Sequence, residues 1–356
     1  MDSKLRFDFK ITQQVIKKIG FIDSFKGYWV NIEVGESKYL KELRRIATIQ
    51  SIGSSTRIEG VKLTNTEIEA LLHNLEITKL RSRDEQEVFG YYEALETILE
   101  NHENIELTEG NVFSLHNLLL KFSDKDQNHR GRYKQLSNKV VVRYPGGSQR
   151  VIFNTTEPFL VKKEMETLIS WTNKNLGKGE IHPLITIGTF VYEFLSIHPF
   201  QDGNGRLSRL LTSLLLLKNG YHFIQYISLE NEIEKKKKEY YSVLMDAQQH
   251  RDTESEIIDK WMIFFLESLE EVIKKLETNY KKLREKGPYL NQRQKNILEF
   301  IRKNQPIKIK DLSNRFTDES RNTIKKDLQY FQAERLISKI GKGRGTFYIL
   351  RTGEEE

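Results

Sequence analysis

The stretch HPFQDGNGRLSR, His198–Arg209, sets a histidine, an aspartate, an Asn between two glycines and two arginines between two apolar runs. After it, Leu207, Leu210, Leu211 and Leu214 recur at helical spacing, so a buried helix starts near Gly205. Its unpaired amides and positive dipole end then fall at the QDGNG turn, a ready place for an anion. Gly203 and Gly205 permit the close backbone approach that a phosphate oxygen needs, and Asn204 can donate an amide hydrogen bond to the same group. Arg206 and Arg209 are three apart, hence on one helix face, where they suit further phosphates of a polyphosphate chain. Asp202 is a hard oxygen ligand for a magnesium ion shared with those phosphates. His198 titrates near neutral pH and can take a proton from an attacking hydroxyl. Base, metal ligand, anion cradle and cationic clamp together point to phosphoryl or nucleotidyl transfer. Pro199 and Phe200 read as structural, as does His182, which has no companion ligand. The P-loop pattern GxxxxGK[ST] and the zinc pattern HExxH are both missing.

The rest of the chain is read outward from this stretch. Its 356 residues suffice for two domains with cores of their own. Lys plus Arg number 57 against 50 for Asp plus Glu, a net charge of +7 that favours anionic partners without naming one. With no cysteine, disulfides and thiolate metal sites are excluded. No signal peptide is visible, and the longest central apolar run, LLTSLLLLKNG, has about half the length of a membrane span, so a cytoplasmic protein without a membrane partner is expected.

Helical periodicity dominates. Leu40, Leu43, Ile46, Ile49 and Ile52 mark one face of a helix that ends near Glu59, with Gly60 as its stop. Further helices are expected over Thr64–Leu80, Gln86–Glu100, Thr108–Phe122, Glu157–Asn173, Pro183–Ile197 and Leu207–Lys218. Thr253 and Glu256 resemble a capping box opening a long helix, Glu254–Lys286, while KKKK at Lys235–Lys238 reads as a solvated helix face. Val140–Val142 and Val151–Phe153, joined through Pro145-Gly146-Gly147, predict a β-hairpin amid the helices. Beyond a charged linker, 281–288, three short helices precede ISKIGKGRGTFYIL, two strands around a basic Gly-rich tip, which together describe a winged helix-turn-helix over 289–351.

The central stretch closely resembles the Fic-domain signature HPFx[DE]GN[GK]RxxR, with no departure at a required position, and HRGRYK at His129–Lys134 leads into the hairpin as that family's sequences do. The resemblance covers roughly Tyr39–Glu270. The fold it implies is mainly α: a Fic helical core (111–280) with a β-hairpin flap, preceded by an N-terminal helical region (1–110) and followed by the winged helix-turn-helix. The activity it implies is transfer of AMP from ATP, with Mg2+, to a Ser, Thr or Tyr hydroxyl of a protein, this chain itself included. On that mapping His198 is the base, Asp202 carries the metal, and Gly203, Asn204, Gly205, Arg206, Leu207, Ser208 and Arg209 form the phosphate-binding segment. The flap registers the target by strand addition. STRIEG, Ser55–Gly60, fits the family's inhibitory motif [ST]xxxE[GN], so Ser55 and Glu59, on a helix over about 37–60, are expected to take Arg209 away from the γ-phosphate. Tyr240 and Tyr241 lie where such proteins keep aromatics near the adenine, and core packing suits them as well.

The C-terminal domain leaves DNA or a protein surface open as its partner, and a homodimer is a further partner of this kind. On DNA, Arg321, Asn322, Lys325 and Lys326 would face the major groove and Lys342 or Arg344 a phosphate. Two other functions compete with AMP transfer. One is a DNA-binding regulator whose Fic-like part senses nucleotide; the other is removal of AMP, with Glu59 positioning a water.

Overall fold

A computed structural model describes residues 12–35, 37–73, 80, 82–143, 149–285 and 290–351. The chain divides into two compact units, Met1–Tyr280 and Lys281–Glu356.

The first unit is helical. It runs through α1 (Gln13–Gly35), α2 (Ser37–Glu59), α3 (Asn65–His73), α4 (Arg83–Asn101) and α5 (Glu109–Leu119) before the strands β1 (Lys139–Arg143) and β2 (Gln149–Asn154). Then follow α6 (Pro158–Lys178), α7 (Pro183–Ile197), α8 (Asn204–Lys218), α9 (Leu229–Lys235), α10 (Lys237–Gln248) and α11 (Asp259–Glu285). Helices α7 and α8 are the centre, because nearly every residue of both is buried, in α8 the polar ones included. In α7 every residue from Leu184 to Ile197 is buried, and Pro183 opens the helix where its missing N–H costs nothing. His182 caps that helix, its Nδ1 accepting from Leu184 N at 3.3 Å while Nε2 lies 2.9 Å from Asp23 Oδ2.

Elsewhere the caps set the boundaries. Ser82 and Glu85 form a capping box, so α4 begins earlier than the periodicity from Gln86 suggests. The expected box at Thr253 does not form. Thr253 Oγ1 donates to His250 O at 2.6 Å, and Glu256 accepts from Asp252 N at 3.0 Å and Tyr192 Oη at 2.7 Å. A carboxylate already spent on a tyrosine and a turn amide cannot cap, and α11 starts only at Asp259. The run Lys235–Lys238 is only partly a solvated face, because Lys236 pairs with Glu232 at 3.4 Å and Lys237 Nζ donates to Ile58 O at 2.6 Å.

The hairpin is present. β1 pairs with β2 antiparallel, Lys139 opposite Asn154 and Arg143 opposite Gln149, with a register shift between Val140 and Val141. The Pro145-Gly146-Gly147 turn lies outside the described residues. Among the described residues no helix is long and apolar enough to cross a membrane.

The second unit holds α12 (Gln292–Asn304), α13 (Ile309–Arg315), α14 (Arg321–Ala333), β3 (Ile337–Ile340) and β4 (Phe347–Leu350). Ile297, Ile301, Leu312, Ile324, Leu328 and Phe331 fill its core. β3 and β4 form the antiparallel wing, Ile337 opposite Leu350. α14 ends at Ala333, and just past it Arg335 turns left-handed, with φ 55°.

Candidate active site

His198 terminates α7 in the left-handed region, φ 53° and ψ 59°. Its Nδ1 lies 3.3 Å from Leu195 O, and since a carbonyl only accepts, Nδ1 carries the proton and Nε2 is left without one. Burial, then the Lys134 cation, depress its pKa to about 4, so the imidazole is neutral at pH 7.

The loop behind it is clamped by Asn204. Its side chain accepts from Phe200 N at 2.9 Å and donates to Phe200 O at 2.7 Å. That corrects the expected amide contact to phosphate: the Asn204 side chain is committed to the loop, and only its backbone amide faces outward as part of the helix end. Gly203 holds the N-cap with φ 80°, which favours glycine, and no side chain caps α8. The first intrahelical bond runs from Leu207 N to Gly203 O at 2.8 Å, so the amides of Asn204, Gly205 and Arg206 have no intrahelical acceptor, an arrangement that suits an anion.

Glu59 reaches into that site. A Cβ on Gly205 would clash with Glu59 Oε1, so the glycine admits a carboxylate where an anion would sit. Arg209 Nη2 donates to Glu59 Oε1 at 2.8 Å and to Ser55 O at 2.9 Å, while its Nε donates to Ser55 Oγ at 2.7 Å. Burial opposes charge on Glu59, but Arg209, Arg206 and His198 hold its pKa below the usual value. Its side chain keeps 31% exposure, which leaves it reachable from solvent. Arg57, two residues before Glu59 and so on the opposite side of α2, fixes the helix end through Glu234 at 2.7 and 3.0 Å.

Arg206, expected to clamp a phosphate, is paired with carboxylates. It is 2% exposed and pairs with Glu87 at 3.0 Å and Asp202 at 3.1 Å, because α4 brings a carboxylate over the start of α8. Asp202 Oδ1 also accepts from Gly203 N at 2.6 Å. Its Oδ2 lies 3.8 Å from Arg83 and accepts no hydrogen bond among the described residues, so it is the oxygen that would suit a magnesium ion. Burial opposes charge on Asp202 too, yet Arg206 and the Gly203 amide keep its pKa low. Among the described residues no three His, Cys, Asp or Glu converge on a metal position, so a cation there would take its remaining ligands from phosphate and water. Leu207 and Ser208 are buried in α8, Ser208 Oγ donating to Gly205 O at 2.8 Å.

Tyr240 is 4% exposed and packs on Tyr241, Trp261 and Phe264 with ring centroids 5.1 to 5.9 Å apart. A cavity beside Arg209 is lined by Val191, Thr212, Tyr240, Trp261 and Phe264. Burial pushes the Tyr240 hydroxyl up to about 12. Tyr240 is therefore core, and Tyr241 is the member of the pair with accessible surface.

Sequence reasoning missed His116. It is fully buried, stacks on Phe200 at 3.8 Å, lies 3.0 Å from Asp202 O through Nε2 and accepts from Gly131 N at 2.9 Å through Nδ1. Nothing local could reveal a contact across 86 residues. Burial first, then Arg206 and His129, lower its pKa to about 4. Between pH 6.5 and 4 the unfolded chain binds a proton that the native chain refuses, so stability falls as pH drops, by about 1.4 kcal/mol per unit. His116→Gln, which can keep both bonds, is expected to flatten that acid slope. Tryptophan fluorescence against urea at pH 7, 5.5 and 4.5 measures it; an unchanged slope would remove His116 as the cause.

Residues 106–216 match the Fic/DOC family and residues 293–345 the DeoR-like helix-turn-helix domain. The protein adenylyltransferase Fic of Drosophila willistoni is 28% identical over 184 residues, 51% of this chain and 34% of the relative. Protein adenylyltransferase fic-1 of Caenorhabditis elegans is 25% identical over 189 residues, 52% and 35% of the two chains. The chain thus spans about a third of the length of these curated relatives. In fold it is similar to a Fic family protein from Desulfovibrio desulfuricans G20, with a TM-score of 0.66, 22% identity and 99% of both chains covered.

Proposed function

We propose that this chain, which carries a Fic domain and a DeoR-like helix-turn-helix domain, is a protein adenylyltransferase held in an inhibited state by Glu59. The observation that carries the reading is the uncapped N-terminus of α8 beside a neutral imidazole whose Nε2 is bare. In the reaction, a protein hydroxyl attacks the α-phosphorus of ATP while Nε2 of His198 takes its proton. The bond from that phosphorus to the bridging oxygen breaks, and pyrophosphate leaves. The backbone amides of Asn204, Gly205 and Arg206 hold phosphate oxygens, and Arg209, once released from Glu59, binds the terminal phosphate. Magnesium, bound through Asp202 Oδ2, would supply charge neutralisation along the polyphosphate. Protein labelled by α-labelled ATP and not by γ-labelled ATP is the test; γ-label in protein would instead mean phosphoryl transfer.

The second unit favours DNA as an additional partner. α14 exposes Arg321, Asn322, Lys325 and Lys326 together, and Ser320 caps it by accepting from Thr323 N at 3.0 Å. Asp327 of the same helix is turned inward to Arg293 at 2.8 Å, which removes its charge from that face. Lys342 is exposed at the wing tip; the side chain of Arg344 lies outside the described ones. Replacing Lys325 and Lys326 by Gln is expected to weaken DNA binding and reduce the slope of log K against log salt by about 2. Fluorescence anisotropy from 50 to 200 mM salt decides it, and an unaltered slope would place the contact elsewhere.

A further inference from the structure

The loop that carries His198 is held from behind by two side chains of the segment leading into β1. Lys134 is 3% exposed. Its amide donates to Pro199 O at 2.9 Å and its ammonium to Ile197 O at 3.2 Å. Asn138 Nδ2 donates to Phe200 O at 2.9 Å. The carbonyls on both sides of His198 are therefore anchored, which suits a residue whose left-handed backbone persists only where its surroundings over-determine it.

The same group holds the hairpin. The Lys134 ammonium also donates to Asn138 Oδ1 at 2.8 Å and Thr155 Oγ1 at 2.7 Å. The Thr155 hydroxyl in turn points at Asn138, with the backbone oxygen at 2.9 Å and Oδ1 at 2.6 Å. Asn138 immediately precedes β1 and Thr155 immediately follows β2, so one buried ammonium joins both feet of the flap to the catalytic loop. An ammonium has three donors and no acceptor, and here each donor has its own oxygen. Packing alone does not call for this, since an apolar side chain would fill the space without the desolvation cost of a charge.

The geometry assigns Lys134, with Asn138 and Thr155, the role of a positioning clasp that keeps the flap in register with His198. A polypeptide paired to the flap then presents its hydroxyl at a set distance from Nε2. The catalytic consequence rests on the transfer reading above; the mechanical coupling of flap and loop does not.

Two variants test it in the Glu59→Gly chain. Thr155→Val keeps the shape and removes the hydroxyl, and Lys134→Met keeps length and removes the charge. Three quantities are read: transfer of α-label into lysate proteins and the chain itself, affinity for ATP with magnesium by calorimetry, and amide hydrogen exchange. Transfer is expected to fall at least about 10-fold in Thr155→Val and further in Lys134→Met, because misplacement of about 1 Å is costly at this level. The affinity for ATP should stay within about twofold, since neither side chain belongs to the anion site. Exchange protection should drop jointly over 139–143, 149–154 and 197–203. Transfer in Thr155→Val equal to the parent's would overturn the catalytic role. Loosened flap strands with 197–203 unchanged would overturn the coupling. If the Glu59→Gly parent itself moves no α-label, the transfer reading fails, and hydrogen exchange still decides whether flap and loop are one unit. Should Lys134→Met not fold, Thr155→Val carries the test.

Discussion

Glu59→Gly is expected to raise α-label incorporation from ATP into protein by about 10- to 150-fold. That factor follows from removing one hydrogen bond between charged groups, worth about 1.5–3 kcal/mol, that ATP must otherwise displace. The carboxylate does two things at once. It occupies the space above Gly205, and it takes the Nη2 of Arg209 at 2.8 Å. Glu59→Gln, which keeps the volume but loses the charge, should fall between wild type and Glu59→Gly. Adding His198→Ala to the Glu59→Gly chain should lower incorporation by about 10²- to 10⁴-fold, the usual contribution of a general base. Filter-bound label with α- and γ-labelled ATP in parallel reads all four proteins. Should incorporation survive loss of His198, that histidine is not the base; should Glu59→Gly stay at the wild-type level, Glu59 is not the brake.

Arg206→Ala carries the largest expected effect on stability, about 3–5 kcal/mol, the cost of removing one partner from a buried ion-pair network. Glu87 and Asp202 both pair with this guanidinium, at 3.0 and 3.1 Å, and its side chain is only 2% exposed, whereas Arg83, the other cation at Glu87 at 2.6 Å, lies in solvent. Glu87→Gln in the same chain should recover part of the loss, since it removes a buried carboxylate that would keep only its exposed partner Arg83. Urea unfolding followed by tryptophan fluorescence measures this. All three tryptophans, Trp29, Trp171 and Trp261, lie in the first unit, so the signal reports that unit alone. A loss below about 1 kcal/mol, the range of an exposed pair, would mean the pair is solvated in solution. Full recovery of stability with no recovery of ATP binding would separate the structural task of Arg206 from any contact with nucleotide.

Much of this protein was legible in the order of its residues. The apolar spacing after Gly205 marks α8, and His198, Asp202 and the two glycines announce chemistry at its start, because helix periodicity and φ preference are local properties. Val140–Val142 and Val151–Phe153 mark the hairpin for the same reason, and the three short helices with their wing follow from periodicity and Gly-rich turns. Boundaries were less legible. α11 starts five residues later than its acidic onset suggests, because Glu256 bonds Tyr192 from another helix.

Roles within the site needed the tertiary structure. Two arginines on one face of α8 look equivalent in sequence, yet α4 brings Glu87 to Arg206 while α2 brings Ser55 and Glu59 to Arg209. Asn204 reads as a ligand and serves as a loop clamp, and His116 and Lys134 carry no mark of the loop they support. The sequence by itself determined which helices form, where the unpaired amides of α8 fall and which histidine stands beside them, since each depends on residues within a few turns of one another. Which charge faces which was decided only by packing. An ion pair is chosen by whichever carboxylate the fold carries to within about 4 Å, and that distance is set by helices far apart in the chain.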